Sequence, residues 1–302
     1  MFGFAPTKNF IGEIPDSAYE FRTSAPTVIG KILSGHSTVK VGKRIPSKQE
    51  NTIHYLIATV VGLLLAVVII YFFSVYKLGW QIALCIVLPI IGLVIKATMM
   101  NFHHYFLGEN GLADVEVKAD DEEPKETILL FKDAANLVKG LTDRYKNFVY
   151  QGTDFSFQWF DEAGIKLFDI SGTYQDKGGN PKYQKSYQYY WGVEAEKVWT
   201  NYIFDKALNQ IKSHGFYEFG SKNGDKYRLG HGFIEKINSK GKSFRIDEKD
   251  ITRSYAEKGS LYIKTKEGFK WFNESSIVIT FNDIHNSKIF LSLYFQMIKV
   301  PE

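Results

Sequence analysis

The residues of this chain best placed to do chemistry are two groups of cations. Lys40, Lys43, Arg44 and Lys48 form a stretch with no acid among them, directly ahead of a long apolar run. Lys236, Lys240, Lys242 and Arg245 surround Asn238-Ser-Lys-Gly241, which has the residue types of a tight turn. Both groups suit an anionic partner. Each cation near an anionic leaflet contributes about 1 kcal/mol.

Other chemistry finds little support. The seven histidines are His36, His54, His103, His104, His214, His231 and His285, and none forms an i, i+4 pair around a Glu. His103 and His104 are adjacent and point apart on a helix or a strand, which suits a headgroup-level position better than a shared metal. The sole cysteine, Cys85, lies inside an apolar run, where a thiolate is costly. One cysteine also excludes a disulfide framework and a multi-cysteine zinc site. No Gly-x-Ser-x-Gly elbow occurs. Asp161-Glu162 and Asp247-Glu248 sit at predicted turns and read as solvated carboxylates, not as an acid–base pair. Gly178-Gly179-Asn180-Pro181 lacks the Lys-Ser/Thr of a phosphate loop, and Gly230-His231-Gly232 lacks the third glycine of a dinucleotide site. The reading is a non-enzymatic chain with no catalytic residue, no cofactor and no metal. The net charge of +4 over 302 residues is too mild to imply nucleic acid.

The elements that position these groups begin with two apolar runs. Ile53–Tyr76 has no Asp, Glu, Lys or Arg, and Leu78–Ile95 follows after Lys77 alone. Spanning a bilayer takes roughly 20 apolar residues, so the runs predict a transmembrane helical hairpin. Lys40, Lys43, Arg44 and Lys48 before it and Lys96 after it place both termini in the cytoplasm by the positive-inside rule. Tyr55, Tyr71, Tyr76, Trp80 and Tyr105 stand where an interfacial belt would. The expected localisation is a two-pass integral membrane protein.

Beyond the hairpin the pattern is mostly strands. Tyr105–Val117 shows two extended pieces around a turn, Phe155–Trp159 alternates with period two, and Ile165–Tyr174 returns after the turn Asp161–Gly164. Asp120–Glu123 and Gly178–Pro181 read as loops. Val193–His214 changes period: Ala195, Trp199, Ile203, Ala207 and Ile211 lie four apart on one ridge of an amphipathic helix. Tyr227–Ile237, Ser243–Ile246, Gly259–Lys266, Gly268–Phe272 and Ser276–Phe281 form a second strand series, and Asn286–Ile298 a terminal helix. Tyr105-Phe-Leu-Gly108 is echoed by Tyr227-Arg-Leu-Gly230, which suggests two copies of one small domain. The organisation expected is an N-terminal cytoplasmic segment, 1–52, largely irregular with its prolines. The hairpin, 53–100, and two β-rich domains, 101–219 and 220–302, follow.

Leu107-Gly-Glu-Asn-Gly-Leu112 after the hairpin, Phe244-Arg-Ile-Asp-Glu-Lys-Asp-Ile251 and His285-Asn-Ser-Lys-Ile-Phe-Leu-Ser-Leu293 resemble bacterial two-pass membrane proteins with pleckstrin-homology-like cytoplasmic domains of unknown function. The resemblance covers roughly 100–302. It implies an α+β fold in which a transmembrane hairpin leads into β-rich domains, each a bent antiparallel sheet closed by a helix. It also implies a lipid-headgroup role for Lys236, Lys240, Lys242 and Arg245, although the family's usual Arg is Lys at 242. It transfers no catalytic residue. The function expected is a membrane-anchored binding or scaffold module at the inner membrane, contacting anionic lipids and a protein partner. The alternatives are an accessory subunit of a membrane complex, or an enzyme acting on a lipid or envelope intermediate.

Overall fold

The computed structural model describes residues 9–11, 14–16, 20–40, 42–73, 101–118, 123–174, 187–266 and 276–299. Among them are four antiparallel sheets and three α-helices.

The first sheet has six strands in the order β2-β1-β3-β4-β5-β6. They are β1 (Asn9–Ile11), β2 (Ile14–Asp16), β3 (Ile32–Ser37), β4 (Phe102–Gly108), β5 (Gly111–Val117) and β6 (Lys125–Leu130). The segment expected to be irregular thus supplies three strands. Helix α1 (Lys48–Phe73) lies between β3 and β4 in the chain. It opens with a capping box: the Glu50 N–H donates to Ser47 Oγ at 3.2 Å, and the Ser47 N–H to the Glu50 carboxylate at 2.9 Å.

The remaining sheets are β7 (Asn136–Lys146), β8 (Val149–Phe160) and β9 (Lys166–Tyr174); β10 (Phe216–Gly220), β11 (Lys226–Gly230), β12 (Phe233–Ile237) and β13 (Ser243–Asp247); and β14 (Ile251–Glu257), β15 (Ser260–Thr265) and β16 (Ser276–Thr280). Helix α2 (Tyr187–His214) follows β9, and α3 (Ser287–Met297) follows β16.

The order of elements repeats. Strands β3 to β6, a 3-10 turn (Phe131–Asp133), three strands and α2 are followed by β10 to β13, a 3-10 turn (Glu248–Asp250), three strands and α3. The two 3-10 turns are entered alike. The Phe131 N–H donates to Asn110 O at 2.9 Å, and the Glu248 N–H to Gly232 O at 2.7 Å. Asn110 and Gly232 each sit in the turn that follows a Leu-Gly pair, Leu107-Gly108 and Leu229-Gly230.

By its contacts the chain forms two compact units: residues 1–27, 35–106 and 113–127, and residues 28–34, 107–112 and 128–302. In the first unit Val39, Ile45, Phe102 and Val117 form a buried cluster, and the Phe21 ring lies 5.1 Å from Phe106. In the second, α2 buries Trp191, Ala195, Trp199, Ile203, Ala207 and Ile211, the four-residue ridge of its sequence extended by one turn. Helix α3 buries Ile289, Phe290, Leu293, Tyr294 and Met297, with Phe290 edge-on to Phe219 at 5.2 Å. Asn286 joins the two element series within this unit. Its backbone is left-handed (φ 52°), and its amide oxygen accepts from the Leu137 N–H and Trp199 Nε1, both at 2.9 Å. Its amide nitrogen donates to Ala135 O at 3.1 Å.

The expected transmembrane hairpin is corrected. Its second run, Leu78–Ile95, with Lys77, Cys85 and Lys96, lies outside the described residues. Its first run falls in α1, which opens with the polar Lys48-Gln-Glu-Asn-Thr52. Among the described residues no helix is long and apolar enough to cross a membrane. The transmembrane part of the fold class and the two-pass integral placement with both termini cytoplasmic fall with it. What α1 does show is exposed apolar surface, at Leu56, Leu63 and Val67 among others.

Candidate functional site

The hairpins of β10 to β13 bring the second predicted cation group together in part. Their register sets Glu218 opposite Arg228, Arg228 opposite Glu235, and Glu235 opposite Arg245. Opposed residues share a face, so acids and bases alternate across four strands. The Arg228 Nε lies 2.9 Å from Glu218 and its Nη1 3.6 Å from Glu235, while Lys226 reaches Glu218 at 2.8 Å. Arg245 pairs with Asp247 at 2.9 Å and stacks 3.7 Å above the Phe233 ring.

Lys236 belongs to the other face. It sits opposite Tyr227, lies 5.6 Å over that ring and pairs with Asp225 at 2.8 Å. Burial disfavours its charge, but the Asp225 hydrogen bond and the neighbouring Tyr227 outweigh this and hold its pKa above the usual lysine value. Lys240 and Lys242 occupy the exposed turn, where both backbone N–H groups donate to Asn238 Oδ1 at 3.1 and 2.8 Å. The Lys242 ammonium lies 5.1 Å over Phe244. The four cations therefore divide between two faces and a turn. Two of them already hold carboxylates.

A different set converges. Where β13 passes through the 3-10 turn into β14, a cleft of about 770 Å³ opens. Lys249, Lys266, Lys299, Asp247, Glu248 and Thr252 line it. Backbone bonds fix the elements that carry them: Gly232 N–H to Met297 O at 3.0 Å, Lys266 N–H to Asp250 O at 3.0 Å, and the Glu248 N–H bond already described. Asp247 is engaged by Arg245, so three lysines face one further carboxylate. The cleft has the volume of a ligand site, and its excess of exposed cations suits an acidic, extended segment. Asp247 and Glu248, expected as solvated turn residues, prove to be half-buried in its wall.

The first predicted group is spread along the chain before α1. Lys43 lies 5.2 Å over the Phe102 ring and Arg44 pairs with Glu50 at 2.6 Å. Lys40 is exposed, and Lys48 starts the helix. Of the expected turn carboxylates, Asp161 closes its own turn by accepting the Ile165 N–H at 2.7 Å.

The histidines hold a surprise in the first unit. His104 is fully buried, and both its ring nitrogens lack a hydrogen-bond partner among the described residues. Burial above all, with the neighbouring charges of His103 and Arg22, lowers its pKa to about 4. Burial likewise lowers His36 to about 3, with His104 adding to the effect. His103 points the other way, as adjacent strand residues do, and meets Asp114 at 3.0 Å, which raises its pKa. His36 and His103 each stack on Tyr105, at 6.0 and 5.8 Å. Among the described residues no group of His, Cys, Asp and Glu could hold a metal ion.

No protein-family model matches this chain, and no curated protein matches it.

Proposed function

We propose that the chain is a non-enzymatic binding or scaffold module with two pleckstrin-homology-like regions, and that the cleft beside β14 takes an acidic segment of a protein partner. The observation that carries this is the convergence of Lys249, Lys266 and Lys299, from a 3-10 turn, a strand end and a helix end, on one cleft. The four-plus-three strands and closing helix of residues 216–297 support the family reading. The test is native purification of the full chain with mass spectrometry of what accompanies it. The same purification is then made with Lys249→Glu/Lys266→Glu. A stoichiometric partner lost at least tenfold in the variant is expected. A partner retained equally overturns the assignment of the cleft.

The alternative of an enzyme draws on Glu248, a half-buried carboxylate in the same cleft. Glu248→Gln separates the two: it leaves partner recovery intact if the cleft binds, and removes turnover if the cleft catalyses.

A further inference from the structure

The hairpin of β7 and β8 ends in a two-residue turn, Asn147-Phe148, both at positive φ (49° and 64°). That is the geometry of a type I′ turn, which favours Asn, Asp and Gly. A bulky residue at positive φ is an outlier that points toward function. The repeat within this chain supplies the control. The corresponding hairpin of β14 and β15 makes the same turn with Lys258-Gly259, at φ 47° and 78°. Where the second copy has glycine, the first has Phe148, and its side chain is fully exposed (101%).

The surroundings of Phe148 share its character. Tyr145 and Val149 are exposed beside it, at 58% and 61%, and Tyr145 packs edge-on against Tyr150. From Thr142 to Val149 every residue is exposed. The outer ribbon, Thr142 to Lys146, extends roughly 15 Å at the rise of a strand. A register shift at Arg144/Tyr145 re-aims its end. The neck below the tip is held by polar bonds. Thr153 Oγ1 donates to Asp143 at 2.6 Å, and Arg144 pairs with Asp154 at 3.2 Å. Both neck carboxylates are thus engaged. Between Asp143 and Asp154 the only charges are Arg144 and Lys146, and Lys146 forms no ion pair among the described residues. Arg144 is paired with Asp154, so the tip is aromatic with one cation, Lys146, left without an ion pair among the described residues.

We propose that this tip inserts into an anionic lipid surface, Phe148 and Val149 entering the acyl boundary while Tyr145, Tyr150 and Lys146 stay at headgroup level. Interfacial aromatics and lysines divide in this way, and apolar faces of peripheral proteins enter about 5–10 Å. The contact is peripheral and does not depend on any membrane-crossing helix. It is also separate from the proposed cleft.

The test follows the tip alone, so that the apolar surface of α1 does not confuse it. The full chain with Cys85→Ser and Val149→Cys is labelled at residue 149 with an environment-sensitive fluorophore. It is mixed with vesicles of phosphatidylcholine alone or with 30% phosphatidylserine (about a third anionic, in the range where surface charge attracts cations). Expected are a blue shift and quenching by nitroxide lipids with the anionic vesicles. Both should be reduced at least fivefold by Phe148→Gly and diminished by Lys146→Glu. Phe148→Gly supplies the residue that the turn geometry prefers, so loss of insertion cannot be put down to misfolding. A probe that stays in water while the chain binds the vesicles overturns the proposal. So does a blue shift without lipid that grows with protein concentration, since that places the tip against a second copy.

Discussion

The hairpins β7–β8 and β14–β15 hold corresponding places in a repeated order of elements, close with the same kind of turn, and differ in almost everything else. The second is short and turns on Lys258-Gly259. The first is long, leaves its sheet as an exposed ribbon and turns on Asn147-Phe148. Strand pairing and turn geometry are satisfied in both. What distinguishes the first is surface that folding does not need, at a position where its backbone prefers glycine. The difference teaches that one order of elements accommodates two hairpins, one of which carries exposed apolar surface that its strand pairing does not require.

The largest expected effect breaks the link between the two series. Asn286→Ala removes the acceptor of the buried Leu137 N–H and Trp199 Nε1 and leaves alanine in a left-handed backbone. Unsatisfied buried donors cost roughly 1–3 kcal/mol each, and alanine at positive φ costs about 1 kcal/mol more. We expect a loss of about 4 kcal/mol and a split of one urea transition into two, read by circular dichroism. A single unchanged transition would show that Asn286 does not couple them.

A smaller effect separates the two series by pH. In the echoed motifs His104 precedes Tyr105, where Lys226 precedes Tyr227. His104 and His36 are buried neutral, with folded pKa values of about 4 and about 3 against 6.5 unfolded. Their stabilisation is complete above pH 6.5 and is lost as pH falls from there toward 4. His103, raised by Asp114, acts in the opposite sense: its contribution is present below pH 6.5 and lost as pH rises through its folded value. Burial lowers His285 as well, so three sites outweigh one, and stability should fall by roughly 2–4 kcal/mol between pH 7 and 5. His104→Leu should flatten that slope in urea titrations at the two pH values.

The smallest effects exchange the turns. Gly259→Phe should lower stability by about 1–2 kcal/mol, and Phe148→Gly should raise it by about 1 kcal/mol. Thermal melts of the two variants measure both. Equal and negligible changes would remove the contrast on which the tip argument rests.

The parts of this architecture legible in the sequence are those where burial is one-sided. The ridge Ala195, Trp199, Ile203, Ala207 and Ile211 shows α2 because one face of it is buried. Asn238–Gly241 shows its hairpin because Gly241 is needed at φ 80°. Strand β7 was not legible, since its outer half is exposed on both faces and Thr142-Asp-Arg-Tyr-Lys146 carries no alternation. Tyr227–Ile237 reads as one strand because its apolar residues continue on both sides of the turn at His231-Gly232, where Gly232 takes φ 74°. The candidate cleft was invisible for another reason. Lys249, Lys266 and Lys299 lie on three separate elements, and only the tertiary fold joins them. The apolar runs misled in the opposite way: apolarity along the sequence predicts a membrane-crossing helix, and among the described residues no helix is long and apolar enough to cross.

The placement of α1 carries a consequence for how the chain is made. Strands β3 and β4 are neighbours in their sheet, clasped by the Thr38 N–H donating to His103 O at 3.0 Å and the His103 N–H to Thr38 Oγ1 at 2.8 Å. The clasp joins residues 65 apart in sequence. Closing so long an excursion costs about 3 kcal/mol more entropy than closing a two-residue hairpin. During synthesis β3 has no neighbour on that side until His103 emerges, a wait of roughly 3 to 13 seconds at ribosomal rates. Strand β3 is therefore made well before the partner that closes its open edge, a delay that a pulse-labelled nascent chain would display as protection of Ile32–Ser37 only after His103 has emerged.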